Sequence, residues 1–196
     1  MSPRINRQSG FTLLEILIVI TIMAIATGLV ATFVGNSFNA YGFLQAKAST
    51  SSDANLELDR VSRVIRGATQ VLNAGTNSLT VYAYFSPRDN APDQVNYYVS
   101  GTSFLAAVIP ASGTAPNYTY NVANQQNYTL ITHLTNGAQV AFTYYDDQGN
   151  QLTGAFSTIQ VKQISIYLAT NPYPNVLHVP VVIQTTDTLR NLKTNL

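Results

Sequence analysis

Residues 10–15 read Gly-Phe-Thr-Leu-Leu-Glu, inside an opening stretch, residues 1–30, of MSPRINRQSGFTLLEILIVITIMAIATGLV. Glu15 is out of place there. From Phe11 to Val34 the 24 residues carry this one charge, and Ile16–Val34 is an uncharged run of 19. At about 1.5 Å of rise per residue, such a run covers roughly 28 Å as a helix, close to the hydrocarbon thickness of a bilayer. Arg4 and Arg7 precede it. By the positive-inside rule they hold a short N-terminus in the cytoplasm and send the rest across.

Three readings of this segment compete. One is a secretory signal peptide with Arg4 and Arg7 as its basic region and Ala24-Ile25-Ala26 as a small-residue cleavage site. A glutamate within the apolar region opposes it, as does an apolar run that continues past that site. A second is a plain signal anchor, with Glu15 as an interfacial acid near a helix start, where carboxylates are favoured. In the third, the acid has a dedicated partner. A carboxylate at the centre of a membrane helix costs about 2.5–3.5 kcal/mol on insertion scales, less near the end, and intramembrane charges usually mark a functional pairing.

The third reading is carried by the motif. Gly10-Phe11-Thr12-Leu13-Leu14-Glu15, behind a short basic leader and ahead of a long apolar run, resembles the processing site of type IV pilins and type II secretion pseudopilins. The resemblance implies that a prepilin peptidase cuts between Gly10 and Phe11 and that the new Phe11 amine is methylated. It also implies that Glu15, fifth in the mature chain, pairs with the Phe11 amine of the same or a neighbouring subunit. Before the cut that nitrogen is an amide, so processing would both create the partner and remove Arg4 and Arg7. Eight Lys and Arg would then face nine Asp and Glu.

Further along, proline is absent from Phe11 to Phe85, so nothing forces a kink. Many pilins carry a proline in this region. Gly28, Gly35 and Gly42 recur every seven residues, with Ala24, Ala31 and Ala46 close to the same line, a small-residue stripe suited to close helix packing. Leu58, Val61, Ile65, Ala68 and Leu72 then follow one amphipathic helical face, with Asn73-Ala74-Gly75 as the stop. Arg60, Arg63 and Arg66 beside Glu57 and Asp59 read as a solvated face rather than a nucleic-acid stripe. Ala48–Asn55 (ASTSSDAN) is a poor helix former and reads as a loose or broken turn.

After residue 75 the pattern turns to strands: 79–85, 94–99, 104–109, 128–133, 139–145, 159–168 and 176–185. Residues 111–126 read as a loop. The expected fold is α+β, a long N-terminal helix, membrane-spanning in its first half and amphipathic in its second, laid on an antiparallel β-sheet domain. The expected organisation is a leader at 1–10, a transmembrane or filament-core helix at 11–34, an amphipathic extension at 35–74 and a β-rich head at 75–196. FTYYDDQGNQL (142–152), VKQISIYL (161–168) and TLRNL (188–192) look like the J- and W-type minor pilins, which initiate or cap filaments.

Charged residues are only 10% of the chain and its formal net charge is +1, which excludes a strongly basic nucleic-acid binder. There are no cysteines, hence no disulfide or thiolate chemistry and none of the disulfide-closed terminal loop of many major pilins. His133 and His178 lack neighbouring ligand or nucleophile partners in sequence, and no phosphate loop, paired-His motif or nucleophile elbow occurs. Asp146 and Asp147 with the Gln148 carbonyl offer oxygen ligands for calcium, though a hairpin turn accounts for them. Asn117-Tyr118-Thr119 and Asn127-Tyr128-Thr129 match glycosylation acceptors, matches expected by chance in an Asn- and Thr-rich chain. No cofactor and no metal are expected, and the chain is not expected to be an enzyme. The expected partners are prepilin peptidase, other pilin or pseudopilin subunits, an inner-membrane assembly platform and the lipid bilayer before assembly. The expected location is the inner membrane, single-pass, and then an extracytoplasmic filament serving a pilus, a secretion system or DNA uptake. The competing expectation is a signal-anchored surface domain, ligand-binding or enzymatic, that never enters a filament.

Overall fold

The computed structural model describes residues 11–190. The expected leader, with Arg4, Arg7 and Gly10, lies outside the described residues, as do the last two residues of TLRNL. One helix, α1 (Leu13–Arg66), takes up 54 residues without a break. The chain divides into two units between Gln45 and Ala46. In the first, every side chain from Phe11 to Tyr41 is exposed.

In the second unit α1 buries a stripe formed by Thr50, Ala54, Leu58, Val61 and Ile65. Offsets of four, four, three and four residues keep these on one face. The expected break at Ala48–Asn55 does not occur. Asn55 donates to the Ser51 hydroxyl at 3.2 Å, and Ser49 lies 3.5 Å from Asp53, so polar side chains satisfy one another one turn apart. Burial of Thr50 and Ala54 then outweighs the poor intrinsic propensity.

The helix stops six residues earlier than the sequence pattern suggested. Gly67 N–H donates to the carbonyls of Arg63 and Val64 at 3.2 and 3.1 Å, and Ala68 closes a tighter turn on Ile65 at 3.0 Å. Ala68 is still buried, but Leu72 falls in a strand that the sequence reading placed on the helix. That strand, β1 (Gln70–Ala74), opens a five-stranded antiparallel sheet in the order β1-β2-β3-β4-β7, with β2 (Ser78–Ala83), β3 (Asp93–Ser100), β4 (Ser103–Ile109) and β7 (Gln126–Ile131). Between β4 and β7, where a loop was expected, β5 (Ala111–Thr114) and β6 (Asn117–Tyr120) form a separate hairpin. Its strands are mostly exposed, so no apolar alternation announces them. The hairpin is fixed by Tyr120, whose ring stacks on Tyr82 at 4.6 Å and whose hydroxyl donates to the Pro92 carbonyl at 2.8 Å.

A three-stranded sheet, β10-β9-β8, completes the unit with β8 (Phe142–Tyr145), β9 (Gln163–Thr170) and β10 (Val181–Thr188). The strands of this sheet move furthest from expectation, while β2 ends before Tyr84 and β7 ends before His133. Residues 139–141 precede β8, residues 158–160 form a short helical turn before β9, and His178 precedes β10. Asp146 builds the expected turn: its carboxylate accepts from the Gln148 and Asn150 backbone N–H groups at 2.9 and 2.8 Å, and Gly149 takes φ 83°.

One apolar core joins the helix stripe to both larger sheets, with Leu58, Val61 and Ile65 packed in the same cluster as Leu79, Val81, Tyr97, Phe104, Phe142, Ile164 and Leu168. Full burial of one such aliphatic side chain is worth about 1.5–3 kcal/mol. Polar fasteners tie the layers. The Tyr144 hydroxyl donates to the carbonyls of Gly75 and Ser78 at 2.7 and 3.2 Å. Buried Asp187 on β10 accepts from the Ser62 hydroxyl at 2.5 Å and lies 3.7 Å from Arg66 Nε. Burial pushes the Asp187 carboxyl up, against the opposing pull of Ser62 and Arg66.

Asp93, at the start of β3, is also buried. Its carboxyl is pushed up to about 6, chiefly by burial and further by Asp89, while the Ala111 N–H, donating at 3.2 Å, works the other way. The folded state therefore holds an extra proton. Its contribution to stability is full below the ordinary value of 3.8 and is lost as pH rises through about 6. The thermal midpoint of the full chain in detergent is expected to fall over that interval, and Asp93→Asn should flatten this component of the profile; an unaltered profile would contradict the assignment. Ile65→Ala, at a position with no exposed surface, is expected to cost about 2–5 kcal/mol in chemical denaturation.

Candidate functional site

The segment that carries the processing motif has a defined local structure. Thr12 precedes the first helical residue, its Oγ1 accepting from the Glu15 N–H at 3.2 Å and its carbonyl accepting from the Ile16 N–H at 3.2 Å. Thr12 is thus the N-cap of α1, satisfying one of the backbone donors that a helix start leaves open. Glu15 is the acid of the first turn, where the helix dipole favours negative charge. The Thr-x-x-Glu spacing is a capping signature legible in the sequence; the sequence reading placed Glu15 near a helix start but did not pair it with Thr12.

Phe11 is 77% exposed. The one ion pair among the described residues joins Arg66 to Asp187, so Glu15 enters none there.

Ala24, Gly28, Ala31, Gly35 and Gly42 all lie on α1. Their offsets of four, three, four and seven residues place them along one helix face. A methyl group added at Gly28, Gly35 or Gly42 would meet no atom within 4 Å. Their small size therefore serves no contact within the described chain. Beside them, Phe33, Val34, Ser37, Phe38 and Tyr41 line an open apolar hollow on the helix surface. The sequence reading missed these aromatics, although Val34, Phe38 and Tyr41 at offsets of four and three residues signal a shared face.

Three hydroxyls of the first unit are satisfied locally. Thr21, Thr32 and Ser37 each donate to the carbonyl four residues back, at 2.8, 2.9 and 2.8 Å. This removes the penalty of an unpaired hydroxyl in an apolar medium.

The other chemistry-bearing residues are dispersed. His133 is exposed, has φ 57°, and its Nδ1 lies 3.0 Å from Thr132 Oγ1. His178 is exposed in the segment before β10. Among the described residues no three His, Asp or Glu side chains gather into a metal-binding group. The Asp146 carboxylate is occupied by its own turn, and the Asn150 side chain heads the hydrogen bonds that hold it below the usual carboxylate range. The arginine row is split between structural tasks: Arg60 sits 5.0 Å over the Phe85 ring, and Arg66 faces Asp187.

Comparison with known proteins bears on the N-terminal segment. No curated protein matches the chain. Residues 5–31 match the family model described as the prokaryotic N-terminal methylation motif. That span takes in Gly10, Phe11, Glu15, Ala24, Gly28 and Ala31, so the chain carries a prokaryotic N-terminal methylation motif on an apolar helix long enough to anchor it in a membrane.

Proposed function

We propose that this chain is a non-enzymatic filament subunit of the type IV pilin class, a minor pilin or pseudopilin. The observation that carries this reading is the methylation motif at residues 5–31, set on an exposed apolar helix that continues without a break into an α+β unit. Prepilin peptidase removes residues 1–10 by cutting after Gly10, and the Phe11 amine is methylated. The mature subunit waits in the inner membrane through residues 11–34. It is then drawn by the assembly platform into a helical bundle of subunits along residues 11 to about 45.

The chemistry of the first turn supports the order of these events. Uncut, the Phe11 nitrogen is an amide and carries no charge. Cut, it is an amine that offers Glu15 of an adjoining subunit the partner it lacks among the described residues. A Glu15 left without a partner in an apolar medium is penalised, which favours one axial register. The small-residue stripe from Ala24 to Gly42 supports close approach of neighbouring helices. The minor-subunit assignment rests on the resemblance of residues 142–152, 161–168 and 188–192, with the lack of cysteine in accord.

Co-expression with a prepilin peptidase tests the reading. The mature N-terminus, read by mass spectrometry, is expected at methylated Phe11. Retention of residues 1–10, or a cut near Ala26, would instead favour a signal-anchored surface domain or a secreted one. Glu15→Ala is expected to leave the cut intact and to reduce incorporation into filaments at least tenfold by quantitative blotting, since about 1.4 kcal/mol of lost pairing corresponds to that factor. Normal incorporation of Glu15→Ala would remove the pairing argument.

A further inference from the structure

The segment that joins β2 to β3, residues 84–92, is tied to the sheet at one buried carboxyl. Asp93, the first residue of β3, is 7% exposed. Its Oδ1 accepts from the Ala111 N–H at 3.2 Å, the Phe85 N–H also donates to it, and the Asp89 carboxyl lies within hydrogen-bond reach. Asp89 belongs to a tight turn. Its backbone N–H donates to the Ser86 carbonyl at 3.1 Å, and its Oδ2 accepts from the Ser86 N–H. Ser86–Asp89 is therefore one small unit, and the contact between the two carboxyls is its side-chain fastening to β3.

An ionised carboxylate only accepts hydrogen bonds, so two carboxyls in contact need a proton between them. With both ionised, two like charges would meet across a short gap, one of them withdrawn from water. The surrounding groups do not offset this. Ala83, opposite Asp93 on β2, and Ala111 beyond β4 carry no charge. From β6, Tyr120 donates its hydroxyl to the Pro92 carbonyl and stacks on Tyr82 of β2. Burial, with Tyr82 and Asp93 close by, pushes that hydroxyl up to about 12, so it stays neutral. On α1, Arg60 is engaged over the Phe85 ring, and Arg88 on the turn is exposed. Burial first, and then Asp89, push the Asp93 carboxyl up to about 6. The proton is thus held at a pH where a lone surface carboxyl has lost its own.

Of the two partners, Asp93 is fixed by strand pairing, whereas Asp89 is half-buried in a segment between strands. We propose that Asp89 and Asp93 share one proton, and that this proton latches the Ser86–Asp89 turn onto β3. When the proton leaves, the turn swings off and both carboxylates gain water. The N–H groups of Ala111 and Phe85 keep Asp93 satisfied after the turn has gone. The same turn forms part of one wall of an exposed groove, in which Arg60 and Arg63 of α1 face Phe85, Ser86 and Pro87. Its detachment widens that groove, so the surface beside the helix changes shape with pH. The device rests on the second unit alone and not on assembly into filaments.

The chain has no cysteine, so Leu56→Cys and Arg88→Cys can carry a pair of spin labels at exposed positions on α1 and on the turn. The distance between the labels is read in the full-length chain in detergent, below about pH 5 and above about pH 7, on either side of the titration. A narrow distribution is expected on the acid side, and a longer, broader one on the other. Carbon-13 NMR of the aspartate carboxyls should show Asp89 and Asp93 responding together with a midpoint of about 6. Asp89→Asn, whose amide can donate to an ionised Asp93, should keep the narrow distribution at both values and lower the Asp93 midpoint. A thermal midpoint equal to that of the parent chain at acid pH establishes that this variant is folded. An unchanged distance across the interval overturns the latch, and an Asp93 midpoint that stays in place in Asp89→Asn overturns the shared proton.

Discussion

An unbroken ladder of backbone hydrogen bonds from Leu13 to Arg66 is the constraint on which the rest of the structure depends. Within hydrocarbon no water is at hand to satisfy backbone N–H and C=O groups, so the segment must satisfy its own. The apolar half of α1 does this along its ladder and at three of its hydroxyls, Thr21, Thr32 and Ser37. The second half keeps the same ladder and narrows its apolar surface to one buried stripe. One helix thus carries two side-chain patterns, exposed and apolar all round and then apolar on one buried stripe, and the change falls between Tyr41 and Thr50.

The β-rich part is organised around that stripe. Leu58, Val61 and Ile65 are buried against a five-stranded meander and a three-stranded sheet, and polar groups fasten the seams. Tyr144 does so through two carbonyls of the β1–β2 turn, and Asp187 through Ser62 and Arg66. Such buried polar contacts specify which surfaces meet more than they add net stability, because removing one partner leaves the other unsatisfied. Asp93 is a further case, a carboxyl that burial keeps protonated well above the usual range.

How far the sequence could be read follows from how local each signal is. The Gly10–Glu15 motif and the apolar run are contiguous and were plain. So were β2, β3 and β4, where alternation such as Leu79, Val81 and Ala83 matches their burial. The end of α1 was misjudged because Ala68 and Leu72 happen to continue a helical spacing, while the turn that ends the helix depends on Gly67 and on pairing between β1 and β2. β5 and β6 carry no apolar pattern, being held by backbone pairing and by the Tyr120–Tyr82 stack formed with a distant strand. ASTSSDAN was judged by propensity, and tertiary burial of Thr50 and Ala54 reversed the outcome. A cavity walled by Thr50 and Asp53 of α1, Thr132 after β7 and Tyr173 after β9 was not legible at all, since three segments remote in sequence build it.

The fastening of β10 to the helix has a consequence for the order in which the molecule matures. Asp187 and Ser62 are 125 residues apart, whereas β1 to β4 pair with immediate neighbours in chain order. The meander can close on its own as the polypeptide is made, each hairpin needing only local residues. The base of α1, by contrast, stays open at Ser62 and Arg66 until the last strand has been synthesised and docked. The helix end is therefore sealed last, and a chain stopped short of β10 would have every strand of its larger sheet but not the Asp187 clasp on Ser62 and Arg66.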